Sequence, residues 1–445
     1  MGYANVTLTS LDGDLSVVIY LPIGIKPNEA LYYFSSRFDH GSMIGSIHRK
    51  VHLPSGEIRT HTLYQDGMWR QPHNTNWPES GVGLAAEFGV GDDGDLCLFR
   101  CGWYGSGDLT NGVLGYREAR LGETFLKIGV GKLIKGSCPT CDSTEDYKFN
   151  SPYQFAEIPE WSMSQSDPQS LQLYHQAFLR DHGYSLKKEI SLVDDTLSVT
   201  TTLTNLGRDA FSTVWYSHNF FTCDGIAVGP GYGVDLNLKG KVDPMYEEPG
   251  TWSWSTPLED YARVQSHTGH INVQMERAVE PGIRIKSEFT RDDSTNGGFT
   301  LHACGSKITS SIPQTEDPNS GISMYAYNLY IERGTMSPEP QILLHLDPGQ
   351  SATWSQKLTI GDESSRDEAW PYQSSLRAAS LAETVASSTN LLERYPIIIP
   401  IVALTMLALT LQSVVRHQRR RQRQHHYVRV ADVPETTQGD DDNGQ

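Results

Sequence analysis

Through most of the chain up to residue 361, apolar and polar positions alternate or fall in short β-branched runs. LSVVIYL (15–21), GSIHRKVHL (45–53), TFLKIGVGKLI (124–134), LSVTTTLTNL (197–206), INVQMERAV (271–279), GIRIKSEFT (282–290), QILLHLDP (341–348) and TWSQKLTI (353–360) all have this character. Clusters of Gly, Pro, Asn and Asp separate them, and such clusters make turns. KKEISLVDDTLSVTTTLTNLG (187–207) reads as two alternating strands around Asp194-Asp195, a hairpin. No long amphipathic helix and no fixed-period repeat interrupts the series, which argues against a propeller. The pattern predicts an all-β domain over residues 1–361, a large antiparallel sandwich.

The pattern changes after residue 361. Residues 362–394 are acidic and read as a stalk. Residues 395–415, YPIIIPIVALTMLALTLQSVV, carry no charge and have the length that spans a bilayer core. Arg416, Arg419, Arg420, Arg421 and Arg423 follow at once. A buried core helix of this length would show a polar face, and this segment offers only Thr405, Thr410, Gln412 and Ser413. It is expected to be a single transmembrane helix with lipid as its partner. The arginines would hold the 416–445 tail, basic and then acidic, in the cytosol, with the large domain lumenal or extracellular.

Residues 1–14 contain Asp12 and Asp14 and no Lys or Arg, which is not the start of a secretory leader. The expected topology then requires either a start upstream of Met1 or insertion through the tail, and the arginines disfavour the second. The close pairs Cys97/Cys101 and Cys138/Cys141 suit local disulfides outside the cytosol or a zinc site inside it, with disulfides preferred. Asn5-Val6-Thr7 is a glycosylation sequon.

Composition narrows the function. Apolar residues make up 38% of 445, which describes a folded chain, and the net charge of −17 speaks against a nucleic-acid partner. No glycine-rich loop opens a helix; VGPGYGV (228–234) reads as a turn, so no nucleotide cofactor is expected. No convincing set of metal ligands appears, and His425-His426 is too isolated to bind tightly.

Several phrases, in order, resemble the aldose 1-epimerase-like (galactose mutarotase-like) superfamily. They are Tyr33-Phe34-Ser35-Ser36-Arg37-Phe38-Asp39, Glu87-Phe88-Gly89, KIGVGKLIK after Gly122, Asn205-Leu206-Gly207 followed by Trp215-Tyr216-Ser217-His218-Asn219-Phe220-Phe221, and Ser337-Pro338-Glu339-Pro340-Gln341. The resemblance covers about residues 30–360 and implies an antiparallel β-supersandwich and sugar chemistry. Anomer interconversion removes the proton of the C1 hydroxyl while the ring oxygen is protonated, so it needs one base and one acid. By motif position Glu339 would be the base and His218 the acid. Arg37 and Asp39 fall where the family places sugar-hydroxyl contacts, and an internal ion pair is the equally weighted alternative. Glu87 and His73 are further candidate contacts. Trp103, with Trp69 and Trp77, could stack on a sugar face.

The chain departs from true mutarotases in one place. They carry an additional histidine in a His-Gly context, where this chain has Glu87-Phe88-Gly89 with His73 some way before. A divergent, membrane-anchored isomerase of carbohydrates, needing no cofactor and no metal, is the expected function. A carbohydrate-binding protein without turnover is the alternative. A glycoside-cleaving enzyme is third; it would need two carboxylates, Glu339 with Glu87 or Asp39.

Overall fold

The computed structural model describes residues 4–23, 36–53, 55–65, 84–89, 113–137, 147, 153–237, 244–245, 256–267, 270–280, 282–289, 297–313 and 321–362. They all fall in one compact unit, Met1–Glu368; a second unit, Ala369–Gln445, contains the expected span 395–415 and lies outside the described residues. Among the described residues no helix is long and apolar enough to cross a membrane. Cys97, Cys101, Cys138 and Cys141 also lie outside them.

The described residues form antiparallel β-sheets with two short 3-10 turns and almost no other helix. One ten-stranded sheet runs Asn5–Thr9, Leu15–Tyr20, Ile44–His52, Leu84–Phe88, Phe211–Asn219, Thr335–Leu346, Ile322–Glu332, Arg284–Phe289, Pro244–Met245, with Ile58–Gln65 paired to Ile44–His52. The other runs Ala262–His267, His270–Met275, Gly233–Leu236, Phe299–Ala303, Ser306–Ser311, Ser351–Asp362, Thr196–Asn205, His182–Val193, Ser170–Leu179, Trp161–Asp167. A three-stranded sheet, Val113–Leu114, Thr124–Lys127 and Gly131–Ile134, completes the set.

Strand periodicity places the core. In Thr196–Asn205 every second residue (Leu197, Val199, Thr201, Leu203, Asn205) is buried, as are Ala352, Trp354, Gln356, Leu358 and Ile360 in the neighbouring strand. Their outward partners pair hydroxyl to hydroxyl, Thr200 with Ser355 at 2.7 Å and Thr202 with Thr353 at 3.0 Å. The inward face packs on the first sheet through one continuous apolar core, with Phe88 and Trp215 set edge-on to Trp354. The expected hairpin is present: Val193 pairs with Thr196 across Asp194-Asp195, and Asp194 takes a left-handed φ of 51° that aspartate tolerates. The single strand expected over 124–134 is instead two strands with a turn between them.

Besides the short Leu84–Phe88, buried throughout, two longer strands of the first sheet break the alternation. Phe211–Asn219 is buried at every position, and Thr335–Leu346 from Thr335 through Ile342. Both of their faces are therefore covered, the inner one by the second sheet. Cys223, just beyond the first of these strands, is bonded to Cys304, in the turn after Phe299–Ala303 of the other sheet. This disulfide ties the two sheets together across 81 residues of chain.

Candidate functional site

The constellation is built where Phe211–Asn219 meets the buried half of Thr335–Leu346. Phe211–Asn219 pairs with Thr335–Leu346 up to Tyr216 opposite Gln341, and the same register is met again at the bridge between Phe221 and Met336. Between these contacts His218 stands opposite Glu339. Directly opposed residues in an antiparallel pair project from the same face with Cβ atoms about 5 Å apart. Trp215, Ser217 and Asn219 point into the inter-sheet core, so Tyr216, His218 and Phe220 point to the outer face of the first sheet, and Glu339 with them.

On that face His218 is clamped by rings. Phe220 stacks on it with centroids 3.6 Å apart, Phe38 meets it edge-on at 4.8 Å, and Phe220 in turn stacks on Tyr330 at 5.6 Å. His218 is 5% exposed and its Nδ1 has no hydrogen-bond partner. Burial, and then the nearby charge of Arg37, hold its imidazole well below the usual histidine range. Glu339 moves the other way. Burial raises its carboxyl to about 7, against the opposing pull of a hydrogen bond from Ser337 Oγ to Oε1 (2.9 Å) and of Lys286 and Arg37. Near neutral pH burial thus favours an uncharged imidazole beside a half-protonated carboxyl.

A charged cluster adjoins this pair. Glu87 accepts from Lys127 Nζ at 2.9 Å, Arg37 Nε at 3.0 Å and the Tyr216 hydroxyl at 3.1 Å, and Arg37 Nη2 also donates to that hydroxyl at 3.0 Å. Glu87 and Lys127 are fully buried, while Arg37 keeps 17% of its side chain exposed and lies 4.5 Å from the Phe38 ring centroid. The loop carrying Arg37 is held down at Gly129, whose φ of 78° suits glycine. A Cβ there would sit 2.8 Å from the Asp39 carboxyl, and the Gly129 carbonyl accepts from the His40 amide at 3.0 Å.

Asp39 faces the interior instead. Its carboxylate meets Lys188 Nζ at 2.6 Å with both side chains fully buried, and Lys188 also donates to Thr201 Oγ1 at 2.9 Å. Burial lowers the Lys188 amine, and the Asp39 charge opposes that shift. The Asp39 carboxylate is thus held in a buried ion pair that anchors the loop carrying Arg37. Both carboxylates considered as partners of Glu339 for glycoside cleavage, Glu87 and Asp39, are held in buried ion pairs with lysines.

Behind the pair, on the inner face, a polar clamp fixes the two strands. Ser217 Oγ donates to Gln356 Oε1 of the other sheet at 2.8 Å, and Gln356 Nε2 to Asn219 Oδ1 at 3.2 Å. Asn219 Nδ2 donates to the Pro338 carbonyl at 2.7 Å. Pro338 and Pro340 have no N–H to give to the ladder, an unusual feature in a central strand. On the far side Pro340 and Pro338 stand in register with Tyr327 and Leu329, next to a register shift between Met324 and Ala326, and the Asn219 amide supplies a donor where the ladder is weak.

Of the residues expected from sequence, Glu339, His218, Arg37 and Glu87 come together around one face, and Asp39 lies behind it. His73, Trp69, Trp77 and Trp103 lie outside the described residues. The buried lysines 127 and 188 and the clamp residues Ser217 and Gln356 carry no motif of their own in the sequence. The only group of three possible metal ligands among the described residues is His61, Cys223 and Asp224. Its sulfur is in the disulfide with Cys304, and His61 Nδ1 is paired with Asp224 at 2.7 Å.

No family model and no curated protein matches the chain. Among solved structures it is similar to a galactose mutarotase-like protein of Lactobacillus casei (11% identity, 80% of this chain and all of that one, TM-score 0.43). It is similar also to an aldose epimerase homologue of Caenorhabditis elegans (9%, 81% and 99%, TM-score 0.42) and a galactose mutarotase-like protein of Clostridium acetobutylicum (12%, 79% and 93%, TM-score 0.40). Likeness at this level assigns no residue and no activity to the chain.

Proposed function

We propose that this chain is a carbohydrate isomerase of the aldose 1-epimerase type, interconverting the anomers of a reducing sugar with His218 and Glu339 as its proton-transfer pair. The observation that carries this is the opposition of the two residues across neighbouring strands, one basic group and one acidic group displaced by burial towards their uncharged forms. Proton exchange with a neutral substrate needs such a pair, because no net charge then has to be created in the resting site.

The protonation states favour roles opposite to those that motif position implies. In ring opening the carboxylic acid of Glu339 donates its proton to the ring oxygen as the C1–O5 bond breaks, and the His218 imidazole takes the proton of the C1 hydroxyl. The open-chain aldehyde rotates about C1–C2. In closure the O5 hydroxyl attacks C1 from the other side and returns its proton to the Glu339 carboxylate. The imidazolium reprotonates the former carbonyl oxygen, and both residues regain their starting state. Arg37, partly exposed beside Glu87, would hold a sugar hydroxyl and stabilise the transient Glu339 carboxylate.

Membrane tethering through residues 395–415, with the sandwich lumenal or extracellular, belongs to the same proposal. The inter-sheet disulfide Cys223–Cys304 supports it, because such bonds persist in oxidising compartments. The test of function is polarimetry on freshly dissolved α-glucose, α-galactose and other reducing sugars, alongside binding titrations. Faster loss of optical rotation supports the isomerase; saturable binding without it would indicate the binding protein instead; neither effect would refute both.

A further inference from the structure

The row that contains His218 and Glu339 continues onto a third strand. Asn328, in Ile322–Glu332, is the register partner of Glu339, so His218, Glu339 and Asn328 stand side by side on one face. With strands about 4.8 Å apart the row spans roughly 10 Å, enough to lie along a single sugar ring.

Asn328 is 6% exposed, and its Oδ1 has no hydrogen-bond partner. Buried acceptors are rarely left in this condition. The donors nearest in the register are already committed. Ser337 donates to Glu339, and Tyr330 donates to Glu332, which is also held by Arg284 at 2.8 Å. At the other end of the row the Nδ1 of His218 is unpartnered too. Two unmet polar atoms therefore flank one carboxyl, and among the described residues no hydrogen bond reaches the one on Asn328, which leaves it open to a donor on a ligand.

We propose that Asn328 is a specificity residue, its side-chain carbonyl accepting a hydrogen bond from a non-anomeric hydroxyl of the sugar held at His218 and Glu339. This rests on the isomerase reading above. A site built to bond a hydroxyl discriminates against the analogue that lacks it, since a buried polar group is then left unpaired.

The test uses the full-length protein, with kcat and KM for anomer interconversion of glucose, galactose and their 2-, 3-, 4- and 6-deoxy forms. The parent protein should lose about 10- to 100-fold in kcat/KM for one deoxy position, the effect of leaving one buried acceptor unmet. Asn328→Leu, close in shape but apolar, should lower kcat/KM for the hydroxylated sugar by a similar factor, leave that deoxy sugar unchanged, and so erase the discrimination. Asn328→Asp, which keeps an acceptor, should retain it. A deoxy profile of the parent with no position losing more than about threefold would overturn the proposal whether or not the variants fold. So would a folded Asn328→Leu with the parent's profile. If the parent protein interconverts no sugar at all, the isomerase reading itself falls and this proposal falls with it.

Discussion

Replacing Glu339 by glutamine should stabilise the folded domain at alkaline pH and leave it nearly unchanged at acid pH. The carboxyl titrates at about 7 when folded against 4.5 as the ordinary value. Below pH 4.5 it is protonated in both states and contributes no difference. Between 4.5 and 7 the unfolded chain releases the proton while the folded chain keeps it, so the native state binds more protons and stability falls as pH rises. About 2.5 pH units at about 1.4 kcal/mol each give roughly 3 kcal/mol lost above pH 7. Glutamine has nearly the same shape and no proton to lose, so its advantage should grow by that amount between pH 4.5 and pH 8.5. Urea unfolding of the parent and Glu339→Gln across this range, compared pair by pair, cancels the titration of every other group not coupled to Glu339. A difference that stays flat with pH, or that favours glutamate at pH 8.5, would refute the reasoning. The second outcome would mean that Arg37 and Lys286 outweigh burial.

His218 should show the mirror image: its imidazole is depressed below 6.5, so stability should drop as pH falls from about 6.5 through the folded value, and His218→Gln should lack this loss. The ring should not titrate between pH 8 and 6 by NMR; a midpoint near 6.5 would contradict its burial. Glu87→Ala removes the carboxylate that faces the buried Lys127 ammonium and should cost about 3–5 kcal/mol in urea unfolding, with Glu87→Leu/Lys127→Met recovering most of it. Equal losses in the single and double variants would contradict the ion-pair reading. Cys223→Ser/Cys304→Ser should lose about 4.5 kcal/mol, the loop-entropy value for a bridge of this span, and reductant should lower Tm more in the parent than in that variant.

Much of this was readable in the sequence, for a local reason. A strand half exposed writes its burial into a period of two, and Thr196–Asn205 is such a strand. The hairpin at Asp194-Asp195 follows from that period and its turn residues. His218 and Glu339 were reachable through resemblance in the phrases around them. Phe211–Asn219 is buried on both faces, so its side chains show no alternation, and which of them face the site emerges only from pairing. The Cys223–Cys304 bond joins residues 81 apart in sequence on opposite sheets, and close cysteine spacing drew the expectation elsewhere. Asp39 and Glu87 look alike in sequence as loop and strand acids. Their partners, Lys188 and Lys127, sit in strands whose lysines look like ordinary surface charges until the fold buries them. Asn328 gave no signal, because an unmet acceptor is a property of its surroundings and not of its neighbours in the chain.

Anomer exchange followed by magnetisation-transfer NMR, on the full-length protein and on His218→Ala and Glu339→Gln, bears most directly on the proton-transfer pair. The result expected is exchange faster than buffer with the parent protein, and a loss of about 100-fold or more in each variant while both remain folded. Exchange that survives both substitutions would contradict the assignment of the pair to this chemistry.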